Sequence, residues 1–225
     1  MKITWYGQAA FKLTGADKSV ITDPYSPELM GYSGFRDTAD IVLTSSDDDE
    51  GHCRSDLIPG SPAIANVMDF ADGGRGSGSI GGLQVEAMPA EEWEHHPRGV
   101  ANQNAMYRFE LDGMKIAHMG DVGNALDEDQ IAFFEDVDIL LALAGGPPTI
   151  ALPDLMEMIH RTRPRLVIPM HFRTLGCRIT RMHWVQSFLD GFREDRVDFA
   201  FSPHATITKS DLPDRTRVLV LDRLQ

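Results

Sequence analysis

One event recurs along this chain: a short, largely apolar run stops at a cluster of carboxylates and imidazoles. Ile41-Val42-Leu43-Thr44 runs into Ser45-Ser46-Asp47-Asp48-Asp49-Glu50-Gly51-His52, and Met114-Lys115-Ile116-Ala117 into His118-Met119-Gly120-Asp121. Leu166 to Pro169 leads to Met170-His171-Phe172, and Leu83 to Met88 leads to Glu91-Glu92-Trp93-Glu94-His95-His96. Runs this short and apolar fit strands buried on both faces. Such strands belong to layered α/β folds, which bind ligands at the carboxyl edge of the sheet. Singly each cluster is unremarkable, because acidic runs are usually solvated and a lone histidine is usually packed. Four at equivalent strand ends point to one site of residue types that ligate divalent metals.

The remaining pattern supports a layered fold. Lys2 to Tyr6 reads as a strand, and Phe11-Lys12-Leu13 pairs with Val20-Ile21-Thr22 across a Gly15-Ala16-Asp17 turn. Ala63 to Met68 reads as another strand. Residues 73–82 hold six glycines and read as a flexible surface loop or a tight hairpin excursion. Met106 to Leu111 alternates strictly before Asp112-Gly113 turns it back, a strong hairpin signal. Helical spacing is expected over Asp127 to Glu135, Pro153 to Thr162 and Thr180 to Phe192, and buried strands over Asp138 to Leu143 and Arg165 to Pro169. Val197 to Phe201 and Arg217 to Leu221 read as closing strands. Strands first, then strands interleaved with helices, suggest sheets sandwiched by helices in one domain spanning residues 1–225.

Charge narrows the partners. Against 21 Lys and Arg stand 34 Asp and Glu, a formal net charge of −13. So acidic a surface repels phosphate backbones and anionic lipid, arguing against nucleic acid and membrane as partners. No apolar run approaches the roughly 18 residues of a membrane span, and the N-terminal residues already read as a strand rather than a leader. The two cysteines, Cys53 and Cys177, form no C-x-x-C pair and give neither a zinc knuckle nor a disulfide framework. A cytoplasmic location is the expectation.

The motifs in their order carry a resemblance. Trp5-Tyr6-Gly7-Gln8-Ala9-Ala10-Phe11, Thr22-Asp23-Pro24-Tyr25, Ala39-Asp40-Ile41-Val42-Leu43, His118-Met119-Gly120-Asp121, Gly145-Gly146 and Ile168-Pro169-Met170-His171-Phe172 cover nearly the whole chain. It resembles the metallo-β-lactamase superfamily, and within it the compact branch that includes ascorbate-6-phosphate lactonase-like hydrolases. The resemblance implies a four-layer αββα sandwich, a metal centre and hydrolysis of a small substrate. It makes a homo-oligomer plausible.

The family's metal signature, H-x-H-x-D-H, should follow the Ile41 strand, and there the chain departs. Anchoring on His52 puts Asp47 and Asp49 where the first two histidines stand and Gly51 where the aspartate stands. Anchoring on strand length instead gives Ser46, Asp48, Glu50 and Gly51, with no histidine at all. The first register is preferred because it keeps an imidazole and two further ligands. Asp121 matches the family's bridging aspartate, His171 its last histidine, and His118 a common neighbour of that aspartate. The histidine expected after the Leu83 strand falls on Glu92, His95 or His96.

Three readings follow. In the first, Asp47, Asp49, His52, His95 or His96, Asp121 and His171 hold one or two divalent ions. Exchange of imidazole for carboxylate shifts preference from zinc towards manganese, iron or magnesium. Asp121 and His118 then serve catalysis on a small lactone, ester or phosphoester. In the second, the metal is lost and the fold binds or regulates. In the third, Asp121, His171 and His95 or His96 hold a single ion. Asp23-Pro24 is read as shaping the loop at the site edge rather than as a ligand.

Overall fold

The structure is a computed structural model, and it describes residues 1–47, 49–71, 73–92 and 104–224. The first sheet has six strands: β1 (Lys2–Gly7), β2 (Ala10–Thr14), β3 (Ser19–Thr22), β4 (Ile41–Thr44), β5 (Ala63–Asn66) and, from near the C-terminus, His204–Thr206. The second has eight. Four form an antiparallel meander: β6 (Gly76–Ile80), β7 (Leu83–Ala90), β8 (Asn104–Leu111) and β9 (Met114–His118). Parallel to β9 then come β10 (Ile139–Leu143), β11 (Leu166–Met170), Arg217–Val220 and, at the edge, β12 (Val197–Phe199). In chain order His204–Thr206 is β13 and Arg217–Val220 is β14.

Alternation explains how the sheets pack. Ile3, Trp5, Phe11, Leu13, Val20, Ile41 and Leu43 point from the first sheet into the main core. There they join Val85, Tyr107, Phe109, Ile116 and Leu141 of the second sheet. The intervening residues, Tyr6, Ala10, Ile21 and Val42, face outward into a second cluster with Tyr25, Met30, Tyr32 and Phe35. That outer layer is built of irregular chain and the short helix α1 (Pro27–Met30). The remaining helices are α2 (Glu128–Ala132), α3 (Leu152–Thr162) and α4 (Val185–Leu189). Helix α3 buries Leu155, Met158 and Ile159 in the same core as β10 and β11. No helix of the described residues is long and apolar enough to cross a membrane.

Several elements differ from expectation for identifiable reasons. The glycine-rich segment becomes the hairpin β6–β7, and a Cβ at Gly78 would lie 2.2 Å from the Phe70 ring. Residues 67–70 leave the expected strand as a 3₁₀ turn, because the Asn66 side chain accepts the Met68 N–H. The helix expected from Thr180 begins only at Val185. Ahead of it, His183 donates its N–H to Gly145 and accepts from Arg173, so tertiary pairing claims that stretch. Helix α2 is fixed by a capping box between Asp127 and Gln130 and stops after Ala132, short of the expected Glu135.

The parallel strands β3, β4, β9 and β11 all end at one edge, where loops of the two sheets touch. Ala105 N–H donates to Ser45 O (3.0 Å) and His171 N–H to Gln8 O (3.0 Å). Gly120 permits this contact. Its φ is +60°, and an added Cβ would lie 2.4 Å from Asn104 Oδ1 and 2.9 Å from Ser45 Cβ. Gly120→Ala is expected to cost on the order of 2–3 kcal/mol, a fall in Tm of about 5–10 °C for a chain of this size. A melting curve superimposable on the wild type would show that the joint tolerates a side chain.

Candidate metal centre

Asp23, the residue directly after β3, is fully buried and organises the edge. Its backbone takes φ +37°, a region a non-glycine residue enters only when its surroundings hold it there. Its carboxylate accepts the Ser45 N–H (2.9 Å), the Ser45 hydroxyl (2.6 Å) and the Tyr107 hydroxyl (3.3 Å). The same group lies 2.9 Å from His52 Nδ1. Burial pushes the Tyr107 phenol well above its ordinary value, and the adjacent Asp23 charge adds to the rise, so it remains a donor. Bonding at Nδ1 turns His52 Nε2 towards the centre, the arrangement in which a carboxylate orients a metal-binding imidazole.

His52 Nε2 sits 3.5 Å from Asp121 Oδ1 and 3.8 Å from Asp49 Oδ2. His171, the residue after β11, places its Nε2 3.3 Å from the same Asp121 oxygen. It too has a positive φ, +52°. The two imidazoles lie nearly parallel, 5.4 Å between centroids. Asp121 is aimed by its own backbone, whose N–H donates to Asn104 Oδ1 (2.9 Å). Ligand atoms of His52, Asp121 and His171 all fall within 4.8 Å of one another, as do those of Asp49, Glu92 and Asp121.

Electrostatics and hydrogen bonding both leave a gap at this point. Burial penalises the His52 imidazolium, but Asp121, Asp23 and Asp49 outweigh it and hold its pKa well above the usual histidine value. For His171 burial prevails over the pull of Asp121, and its pKa falls. Burial likewise opposes ionisation of Asp121, yet His52 and His171 hold its carboxyl well below the ordinary range. Burial pushes the Asp49 carboxyl up, against His52 and with Asp121. Even so, His52 Nε2 and Asp121 Oδ1 are buried with no hydrogen-bond partner. Native structures rarely leave such atoms unsatisfied unless an ion or water belongs there. Two imidazoles and a carboxylate converging with an open side fit a divalent transition metal.

Other expected residues lie elsewhere. Asp47 is exposed and joins neither ligand group. His118 is fully buried with both nitrogens engaged: Nε2 donates to Ala9 O (2.9 Å) and Nδ1 accepts from Gly120 N–H (2.9 Å). Burial lowers its pKa, so it is a neutral strut stacked on Tyr107 rather than a proton carrier facing the cluster. His95 and His96 lie outside the described residues. Asn104, Ser45 and the orienting role of Asp23 escaped the sequence reading. The Asp23-Pro24 pair beside a strand end was their one visible signal.

The comparisons with known proteins agree with this fold. A family model for a beta-lactamase superfamily domain matches residues 2–171. The chain belongs to the metallo-β-lactamase superfamily. It is 29% identical over 203 residues to a UPF0173 metal-dependent hydrolase of Pelotomaculum thermopropionicum, covering 77% of this chain and 85% of the relative. A UPF0173 metal-dependent hydrolase of Thermoplasma acidophilum is 26% identical over 192 residues, covering 77% and 84%. A Thermotoga maritima structure assigned as a Zn-dependent hydrolase of the superfamily superposes with a TM-score of 0.76 at 25% identity, covering 99% of both chains.

If Asp23 orients His52 for a metal, Asp23→Asn should weaken metal binding by about 10–100-fold. Competition against a chromophoric chelator measures this directly. Unchanged affinity would reduce Asp23 to a packing role.

Proposed function

We propose that this chain is a metal-dependent hydrolase of a small, uncharged ester or lactone, with one divalent ion held by His52, Asp121 and His171. The observation that carries the reading is the pair of buried, partnerless atoms, His52 Nε2 and Asp121 Oδ1, facing each other with His171 Nε2 beside them. When bound, such an ion supplies Lewis acidity: it acidifies a coordinated water and polarises an oxygen of the substrate.

The chain's own residues supply the rest. Asp23 fixes the His52 tautomer, so that Nε2 faces the cluster. Asn104 fixes the Asp121 backbone and Gln8 that of His171, and these bonds hold the donor set before an ion arrives. His118, with both ring nitrogens engaged, would not carry a proton at the centre, which leaves the Asp49 and Glu92 carboxylates as the groups that would take one up.

Charge selects among the substrate classes. Asp47, Glu50 and Glu91 are exposed beside the cluster. Among the described residues, Arg54 pairs with Asp56 and Glu50, Arg173 lies over the Trp184 ring and donates to Thr180 O, and Arg178 donates to the Glu28 carbonyl. The exposed Asp47 and Glu91 disfavour an anionic phosphoester relative to a neutral lactone or ester.

Protein purified without chelator should carry a transition metal and hydrolyse neutral lactones or esters. Chelation should abolish the activity, and adding back manganese, iron or zinc should restore it. His171→Ala should lower kcat/KM by at least about 100-fold through loss of metal. Hydrolysis that survives complete removal of metal, or negligible metal in the purified protein with none gained on addition, would overturn the reading.

A further inference from the structure

Asn104, the first residue of β8, is fully buried beside the centre, and only half of its amide is used. Its Oδ1 accepts the Asp121 N–H at 2.9 Å, while its Nδ2 is buried with no hydrogen-bond partner. We propose that Asn104 Nδ2 is the donor that binds the carbonyl oxygen of a neutral ester or lactone and stabilises the oxyanion that develops there during hydrolysis. The assignment rests on the reading of the cluster as a hydrolytic metal centre, and adds to it a residue that touches the substrate.

Three observations carry it. First, the amide is locked. The Asp121 N–H can face only the oxygen of the amide, so it fixes which end is which, and the planar group then holds Nδ2 as rigidly as Oδ1. Gly120 makes room for this, because a Cβ there would lie 2.4 Å from Asn104 Oδ1. Opposite Asn104 in the sheet stands Ala90, at the end of β7, two residues before Glu92 of the carboxylate group. Second, a buried donor without an acceptor destabilises the free protein, and such groups persist chiefly at functional sites. The other neutral donors bonded into this edge are spent. Ser45 and Tyr107 give their hydroxyl protons to Asp23, and both nitrogens of His118 are engaged.

Third, the charge of the donor suits its surroundings. Among the described residues, Asp49 and Asp121 make ion pairs only with histidines, and no lysine or arginine reaches either. A cationic side chain here would be drawn onto those carboxylates. A neutral amide stays free for an oxygen whose charge appears only in the transition state. In the step itself water adds to the carbonyl carbon, and the π pair moves onto the carbonyl oxygen, where Nδ2 donates. That pair then reforms the double bond, the bond to the alkoxy oxygen breaks, and this oxygen takes the proton that the water gave up. One ester and one water become one acid and one alcohol; for a lactone the two remain in one molecule.

The test uses zinc-loaded protein with two probes, phenylboronic acid and phenyl acetate. The boronic acid takes up hydroxide to become a tetrahedral anion, a mimic of the oxyanion. The side-chain amide protons of Asn104, assigned by NMR through its backbone, are expected to move downfield when it binds. Asn104→Asp keeps an oxygen for the Asp121 N–H but has no N–H to donate. It should lower kcat for phenyl acetate by about 100-fold with KM and bound zinc little changed. A residue that only aimed Asp121 would lose zinc instead. Amide protons that stay in place while the boronate binds overturn the assignment, and so does a wild-type kcat in the folded, zinc-loaded variant. Where the variant loses its fold or its zinc, the wild-type spectra decide alone. A wild type that neither binds the boronate nor hydrolyses phenyl acetate overturns the hydrolase reading, and this assignment with it.

Discussion

The Asp23 carboxylate is the contact on which the rest of this structure depends. It accepts from Ser45 at the end of β4 and from Tyr107 in the second sheet, and it bonds His52 in the loop beyond β4. A buried carboxylate with so many donors is costly to disturb, because removing any one strands a polar group away from water. The αL-like backbone at Asp23 and the close approach at Gly120 are local costs, offset by the hydrogen bonds and core packing around them. From this one residue follow the orientation of His52 and the meeting of the two sheets at one edge.

The cluster above Asp23 stores negative charge in a partly dry place. Without an ion, the carboxylates of Asp121, Asp23 and Asp49 favour a proton on His52 and raise its pKa despite burial. A divalent cation held by His52, Asp121 and His171 would take over that task, with His52 neutral, since only a neutral imidazole can ligate. Along the sequence the acidic loop departs from the histidine signature; in three dimensions its Asp49 carboxylate lies with Asp121 and Glu92 in one group of oxygens.

Much of this was legible in the sequence, and the failures are informative. Ile41–Thr44, Met114–His118 and Leu166–Met170 announced themselves because both faces of these strands are largely buried. Asp121 and His171 were legible because each stands one to three residues past such a strand, where the path of the chain is short. Asp49 could not be told from Asp47 by spacing, because long-range bonds set the course of their loop: Ser26 N–H to Glu50 O at 2.7 Å, and Ala105 N–H to Ser45 O. His118 looked catalytic because it precedes Asp121, but its ring is spent bridging Ala9 and Gly120. The short β13 carries too little pattern to be seen and forms only because β1 offers it an edge.

The most direct measurement is anomalous diffraction at the absorption edge of the metal, from crystals of protein purified without chelator. The account predicts a peak bonded to His52 Nε2, Asp121 and His171, with Asp23 still bonded to His52 Nδ1. A cluster that shows no peak after soaking with manganese or zinc, with His52 instead donating from Nε2 to Asp121, would contradict it.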